Sequence, residues 1–125
     1  MTDLYREEIL DHYHHPHNYG RLSECDLEAE NSNPVCGDRQ SWQIKLDERG
    51  RVAEVAFTGV GCALSLAAGS ILSRKVKGQL LEEIEAIKPE EFFDWLNLQP
   101  GPARAKCLLL PLETIKRAIK DSQTN

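Results

Sequence analysis

Residues 40–62 read QSWQIKLDERGRVAEVAFTGVGC, and this stretch decides the fold. Apolar and polar residues alternate over 40–47 and again over 51–58, which is the pattern of two strands that each bury one face. Between them, DERG is a turn in which Gly50 can adopt a positive φ. The side chains predicted to face the core are Trp42, Ile44, Leu46, Ala53, Val55 and Phe57. The stretch therefore predicts an antiparallel hairpin.

Downstream of the hairpin, the sequence predicts only helices. The first is rich in small residues and ends at Gly78, a glycine at the usual C-cap position. A short helix follows, then one that begins at Pro89 and carries apolar residues Phe92, Phe93, Trp95 and Leu96, which are predicted core. Pro111 fits the last helix only if it lies in the first turn, so that helix is predicted to start near Cys107. The predicted ranges are 63–77, 80–87, 89–96 and about 107–120.

Upstream, the sequence predicts a helix over residues 3–14, a loop containing Pro16 and Gly20, and a weak edge strand over 26–32. The order of helix, strands and helices predicts an α+β fold. We expect a small antiparallel sheet of about three strands, covered on one side by helices, with an N-terminal helix and a long C-terminal helix. Residues 1–125 are predicted to form a single domain.

Composition and charge argue against some classes of function. The net charge is −5, from 15 Lys and Arg against 20 Asp and Glu, which argues against a nucleic-acid-binding protein. No apolar run approaches the roughly 18 residues that span a membrane, and the N-terminus is charged where a signal peptide would be apolar. The chain is therefore predicted to be cytoplasmic, where reduced cysteines indicate metal binding or catalysis more than disulfides.

Three cysteines lie at predicted ends of helices or strands: Cys36, Cys62 and Cys107. A helix N-terminus favours the thiolate form of a cysteine, and the pattern places Cys62 and Cys107 at such positions. Asp38 lies two residues after Cys36 and can reach the same centre. Three sulfur atoms and one oxygen would complete a tetrahedral site for zinc or for cluster iron.

Spacing alone leaves this site open. The separations are 62 − 36 = 26 and 107 − 62 = 45 residues, without the paired ligands of common zinc motifs. Cys25 has no predicted role. The histidines at positions 12, 14, 15 and 17 could bind metal, or could be solvated residues at a helix end.

Five segments together resemble the IscU/SufU/NifU N-terminal family of iron–sulfur cluster scaffold proteins. They are Tyr5–His12 with Pro16 and Gly20, Asn33–Asp38 (NPVCGD), Gly59–Ser65 (GVGCALS), Val76–Gly78, and Lys106–Cys107 before the last helix. Three separate cysteine motifs in the same order make the resemblance specific, and it spans nearly the whole chain.

The resemblance implies a scaffold that accepts persulfide sulfur from a cysteine desulfurase, builds a labile 2Fe–2S cluster from Fe²⁺ and sulfur, and transfers it to acceptor or carrier proteins. It implies Cys36, Cys62 and Cys107 as ligands, with Asp38 keeping the cluster labile or binding Zn²⁺ in the isolated protein. Such a scaffold is a carrier and not a turnover enzyme. Cys107, expected in a mobile surface loop, is the favoured persulfide acceptor, followed by Cys36.

Two departures keep a second function open. Lys106 stands where the IscU branch has histidine, and residues 101–106 lack that branch's LPPVK site for an Hsp70 chaperone, which leaves dependence on such a chaperone in question. The PARAKC sequence looks like the SufU branch, although the usual SufU insertion is absent. The alternative is therefore a zinc-dependent sulfur acceptor that stimulates its desulfurase, with Lys106 stabilising a thiolate or persulfide.

Overall fold

The computed structural model describes residues 2–34 and 37–123, with side chains from residue 7 onward. It has the predicted α+β architecture: a three-stranded antiparallel sheet with helices before and after it. The elements are α1 (Thr2–His14), β1 (Leu27–Asn33), β2 (Asp38–Leu46), β3 (Val52–Val60), α2 (Ala63–Val76), α3 (Leu81–Glu85), α4 (Pro89–Leu96) and α5 (Pro102–Gln123). None of the helices in the described residues is both long and apolar enough to span a membrane.

The sheet has the order β1-β2-β3, so the predicted hairpin forms its second and third strands. Helix α5 packs on β1 and β2, α2 packs on β3 and α5, and α1 packs on α2. The centre of the core is a stacked pair, Trp42 and Phe57, with ring centroids 5.0 Å apart and no solvent exposure. Phe92 and Leu96 are buried in the same core, whereas Phe93 and Trp95 pack at its margin. The helices thus meet the sheet around one core.

One predicted core residue is on the wrong face. Ala53 is exposed, and Val52 is buried in its place. The register explains the change: Lys45 pairs with Glu54 but Leu46 pairs with Val52, so a β-bulge leaves Ala53 as an extra residue. A bulge reverses the alternation beyond it, and simple period-two counting does not detect that.

Helix α5 begins five residues earlier than predicted, at Pro102. Pro111 lies in its interior and not in its first turn. An interior proline costs a helix about 3 kcal/mol, because its nitrogen cannot donate a hydrogen bond. The flanking residues Leu108, Leu110, Leu112 and Ile115 are almost fully buried, and we infer that their burial offsets this cost. The early start places Cys107 within the helix.

Candidate metal centre

Three potential ligands converge at one end of the sheet. Asp38 is the first residue of β2, Cys62 is the N-cap of α2, and Cys107 lies in the second turn of α5. One ligand atom from each lies within 4.8 Å of the others. Within residues 2–34 and 37–123, these three form the one group of His, Cys, Asp or Glu side chains close enough to hold a metal ion together. The fold therefore joins residues that are up to 69 positions apart (107 − 38).

Asp38 is held in place by Cys62. Its Oδ1 accepts a hydrogen bond of 2.9 Å from the Cys62 backbone N–H, and its Oδ2 lies 3.6 Å from the Cys62 sulfur. The Asp38 residue is only 1% exposed, whereas Cys62 is exposed and Cys107 is buried. The carboxylate thus lies behind the thiol, with one oxygen fixed by the main chain and the other directed toward sulfur.

Gly61 makes this close approach possible. Its φ of +138° lies in a region that residues with side chains rarely adopt. A Cβ atom at this position would lie 2.0 Å from Asp38 Oδ1, far inside van der Waals contact. Only glycine therefore allows the backbone to lie this close to the Asp38 carboxylate just before α2 begins.

A second set of hydrogen bonds connects the main chain at Cys62 to the core of the sheet. Gln40 Nε2 donates to the Ser65 carbonyl at 2.8 Å, and Gln40 Oε1 accepts from the Trp42 indole N–H at 2.8 Å. The Ser65 hydroxyl in turn donates to the Cys62 carbonyl at 3.1 Å. This role for Gln40 was not predicted from the sequence. The residue lies with Trp42 and Ile44 on the buried face of β2, and a polar residue at such a position indicates a buried hydrogen bond.

One pair of ligand atoms has the separation expected around a tetrahedral metal ion. With zinc–sulfur and zinc–oxygen bonds of about 2.3 and 2.1 Å, a tetrahedral angle places sulfur and oxygen about 3.6 Å apart. The separation of the Cys62 sulfur and Asp38 Oδ2 is 3.6 Å. Sulfur and oxygen ligands together suit zinc or the iron of a cluster. The Asp38, Cys62 and Cys107 side chains could therefore hold either.

Not every predicted site residue is placed as expected. Cys36 lies outside the described residues. Lys106 is exposed on α5. The expectation that Cys107 lies in a mobile surface loop at a helix N-terminus is wrong: it is inside α5 and 8% exposed. That removes the argument for Cys107 as the favoured persulfide acceptor, and the helix-dipole argument now applies to Cys62 alone, since the effect fades beyond the first turn. Cys25 is not part of the cluster.

The four histidines do not form a metal site of three or more ligands with any described residue. His14, His15 and His17 are exposed, as one alternative predicted. His12 is instead 5% exposed, and its Nδ1 lies 2.7 Å from the Ser70 hydroxyl oxygen. That oxygen also accepts a 2.8 Å hydrogen bond from the His17 N–H. The function of His12 visible here is to join α1 to α2.

Acidification should weaken the fold through His12. Burial, followed by the charge of His17 and that of Arg74, lowers the pKa of His12, while Glu8 and Asp11 oppose the shift. A histidine whose pKa is lower in the folded state than in the unfolded state binds fewer protons when folded. Its contribution to stability is full above the unfolded value of about 6.5 and is lost as the pH falls through the folded-state pKa.

The measurement is the free energy of unfolding in urea at several pH values. We expect His12→Asn to flatten its decrease on acidification, while His14→Asn, a change at an exposed histidine, leaves that decrease as it is. Equal pH dependence in wild type and His12→Asn would contradict this interpretation.

Comparison with known proteins decides the family. The sequence profile described as the NifU-like N-terminal domain matches residues 4–125. The chain belongs to this family. The NifU-like family assignment confirms the resemblance found in the sequence and agrees with the site, since the profile spans all three converging ligands.

Relatives of this NifU-like chain include a protein named iron–sulfur cluster assembly scaffold protein IscU from Buchnera aphidicola subsp. Acyrthosiphon pisum. It is 35% identical over 120 residues, which cover 94% of this chain and 93% of that one. The fold is shared with a NifU-like N-terminal protein from Brucella abortus (TM-score 0.81, 21% identity, 98% and 96% coverage). It is also shared with a SUF-system scaffold, FiSufU, from Fervidobacterium islandicum AW-1 (TM-score 0.76, 23% identity, 90% and 94% coverage).

Proposed function

We propose that residues 1–125 act as one iron–sulfur cluster assembly scaffold domain. In this proposal the chain receives sulfur from a cysteine desulfurase, builds a labile 2Fe–2S cluster on Cys36, Cys62 and Cys107 with Asp38, and transfers it to acceptor or carrier proteins. The cluster is cargo, so the chain is a carrier and not a turnover enzyme. The observation that carries the proposal is the convergence of Asp38, Cys62 and Cys107 within 4.8 Å in a chain related to a named scaffold.

Exposure favours Cys62 as the residue that first meets the sulfur donor. Cys62 is exposed and lies at the N-terminus of α2, where a sulfur donor can reach it. The thiolate would attack the outer sulfur of the donor persulfide, form a new S–S bond and release the donor cysteine as a thiolate, with no net oxidation. Reduction of that sulfur to sulfide then takes electrons from ferrous iron and from a thiol reductant.

Lys106 supports a second function, a zinc-dependent sulfur acceptor that stimulates its desulfurase. This lysine is exposed and directly precedes Cys107. It can approach a sulfur donor at the surface and stabilise an anionic sulfur species. In this second function the same residues hold Zn²⁺ and the chain accepts sulfur from the desulfurase without building a cluster. Zinc removal is then expected to abolish the stimulation.

Reconstitution tests the scaffold directly. The protein is incubated anaerobically with ferrous iron, cysteine, dithiothreitol and a cysteine desulfurase, and visible absorption is recorded. Wild type should develop a cluster spectrum. Cys62→Ser and Cys107→Ser should each lose most of it, since each removes one thiolate ligand. Cys25→Ser is the matched control and should assemble normally, because Cys25 is outside the cluster.

The outcomes separate the functions. A cluster spectrum that survives in both site variants contradicts the proposed site. Failure of wild type to assemble a cluster, together with zinc-dependent stimulation of the desulfurase, supports the sulfur acceptor instead. Loss of helical circular dichroism on chelation would indicate a purely structural zinc domain. We expect the fold to survive chelation, because the hydrophobic core cluster contains none of the metal-site residues.

A further inference from the structure

A cavity lies at the opposite end of α2 from the metal centre. It has a volume of about 370 Å³ and is lined by Glu8, His12, Ile71, Arg74, Lys75 and Trp95. Arg74 is 12 residues after Cys62 (74 − 62), so at a rise of about 1.5 Å per residue it is about 18 Å along the helix. The volume is within the range of small-ligand pockets. This cavity is therefore separate from the proposed cluster site.

The polar groups of the cavity are mostly donors. Arg74 and Lys75 are exposed cations in the last turn of α2, and they face a single carboxylate, Glu8, from α1. The Lys75 ammonium lies 5.4 Å from the centre of the Trp95 ring, a cation–π contact that holds the lysine against the cavity wall. Two cations and one acid line the cavity, which gives it a net positive charge.

The buried histidine adds a third donor. The Ser70 hydroxyl oxygen accepts from the His17 N–H and lies 2.7 Å from His12 Nδ1. We assign the hydroxyl as donor to Nδ1, which places the hydrogen of the neutral imidazole on Nε2. The lowered pKa of His12, caused first by burial, keeps the ring neutral near pH 7. The Nε2–H group is then a neutral donor on a residue that lines the cavity.

We propose that this cavity binds a small anion, with a phosphate or carboxylate group held by His12, Arg74 and Lys75. Charge-assisted hydrogen bonds from the guanidinium and the ammonium supply the attraction, and the planar guanidinium can bind two oxygens at once. Ile71 and Trp95 provide an apolar wall for the remainder of the ligand. An anion here would bridge α1, α2 and α4, since its contacts come from all three helices.

Tryptophan fluorescence is the readout, because Trp95 lines the cavity and Trp42 is fully buried. Inorganic phosphate and succinate are titrated separately at constant ionic strength into the full-length protein, which distinguishes a phosphate site from a carboxylate site. We expect saturable quenching or enhancement with at least one of them. Arg74→Gln and Lys75→Gln should each weaken binding at least tenfold, and Trp95→Phe should remove the signal.

Lys77→Gln is the matched control. It removes the same charge at the same end of α2, but Lys77 does not line the cavity, so binding should match wild type. Calorimetric titration of Trp95→Phe checks that the fluorescence change reports binding. The proposal is overturned if neither anion binds saturably, or if Lys77→Gln weakens binding as much as Arg74→Gln does.

Discussion

Gly61→Ala should lose metal binding and destabilise the protein by roughly 2–5 kcal/mol. Part of the cost is the strained φ of +138° for a residue with a side chain, and part is the displacement of Asp38 from the Cys62 N–H. The added Cβ would lie 2.0 Å from Asp38 Oδ1, so the carboxylate must move away from the sulfur. The free energy of unfolding in urea and the zinc content of the purified protein measure both effects.

Gly101→Ala is the matched control, because a Cβ there meets no atom within 4 Å and the φ is not positive. Its stability should stay within about 0.5 kcal/mol of wild type. The double variant Gly61→Ala/Asp38→Ala tests the cause. Removing the carboxylate relieves the contact, so the two changes together should cost less than their sum. Strict additivity, or wild-type zinc content in Gly61→Ala, would rule out the contact as the mechanism.

Asp38→Ala should weaken zinc binding and lengthen the lifetime of an assembled cluster. Zinc loses its oxygen ligand, and we expect its affinity to fall by about tenfold or more. Asp38 is almost completely buried at the centre, and its replacement by alanine removes an oxygen ligand, which suits iron less well than sulfur does. Cluster lifetime should then rise several-fold, measured by the decay of visible absorption after reconstitution.

Asp38→Asn separates charge from shape. Its side-chain oxygen can still accept from the Cys62 N–H, as Asp38 Oδ1 does at 2.9 Å, but it carries no negative charge. We expect zinc affinity to fall in this variant too, with stability close to wild type. A shorter cluster lifetime in Asp38→Ala would show that the carboxylate stabilises the cargo, and the labile-ligand interpretation would be wrong.

The sequence predicted the strands and α2 well because their signals are local. Alternation identified β2 and β3, and the glycines around Cys62 identified the start of α2 within one residue. The error at Ala53 came from a bulge, which depends on how β2 and β3 pair across the hairpin. Pairing between strands is not encoded in the period of either strand alone.

The placement of Cys107 was missed for a different reason. We expected Pro111 to mark the first turn of α5, whereas burial of its apolar neighbours lets the helix run through it. Pro102, the true first residue, carried a usable signal, since proline is favoured at the start of a helix. Propensity indicated one boundary and tertiary packing selected another. The convergence of Cys107 with Asp38 needed the packed fold, because no local pattern relates residues so far apart.

The unequal exposure of the three converging side chains affects how a sulfur donor and a cluster acceptor would approach the proposed scaffold. Asp38 and Cys107 are buried, whereas Cys62 is exposed to solvent. As far as the described residues go, sulfur entering and cluster leaving the proposed scaffold would share the side on which Cys62 lies. A donor and an acceptor would then compete for the same approach and visit in succession, so an excess of either one should delay the other.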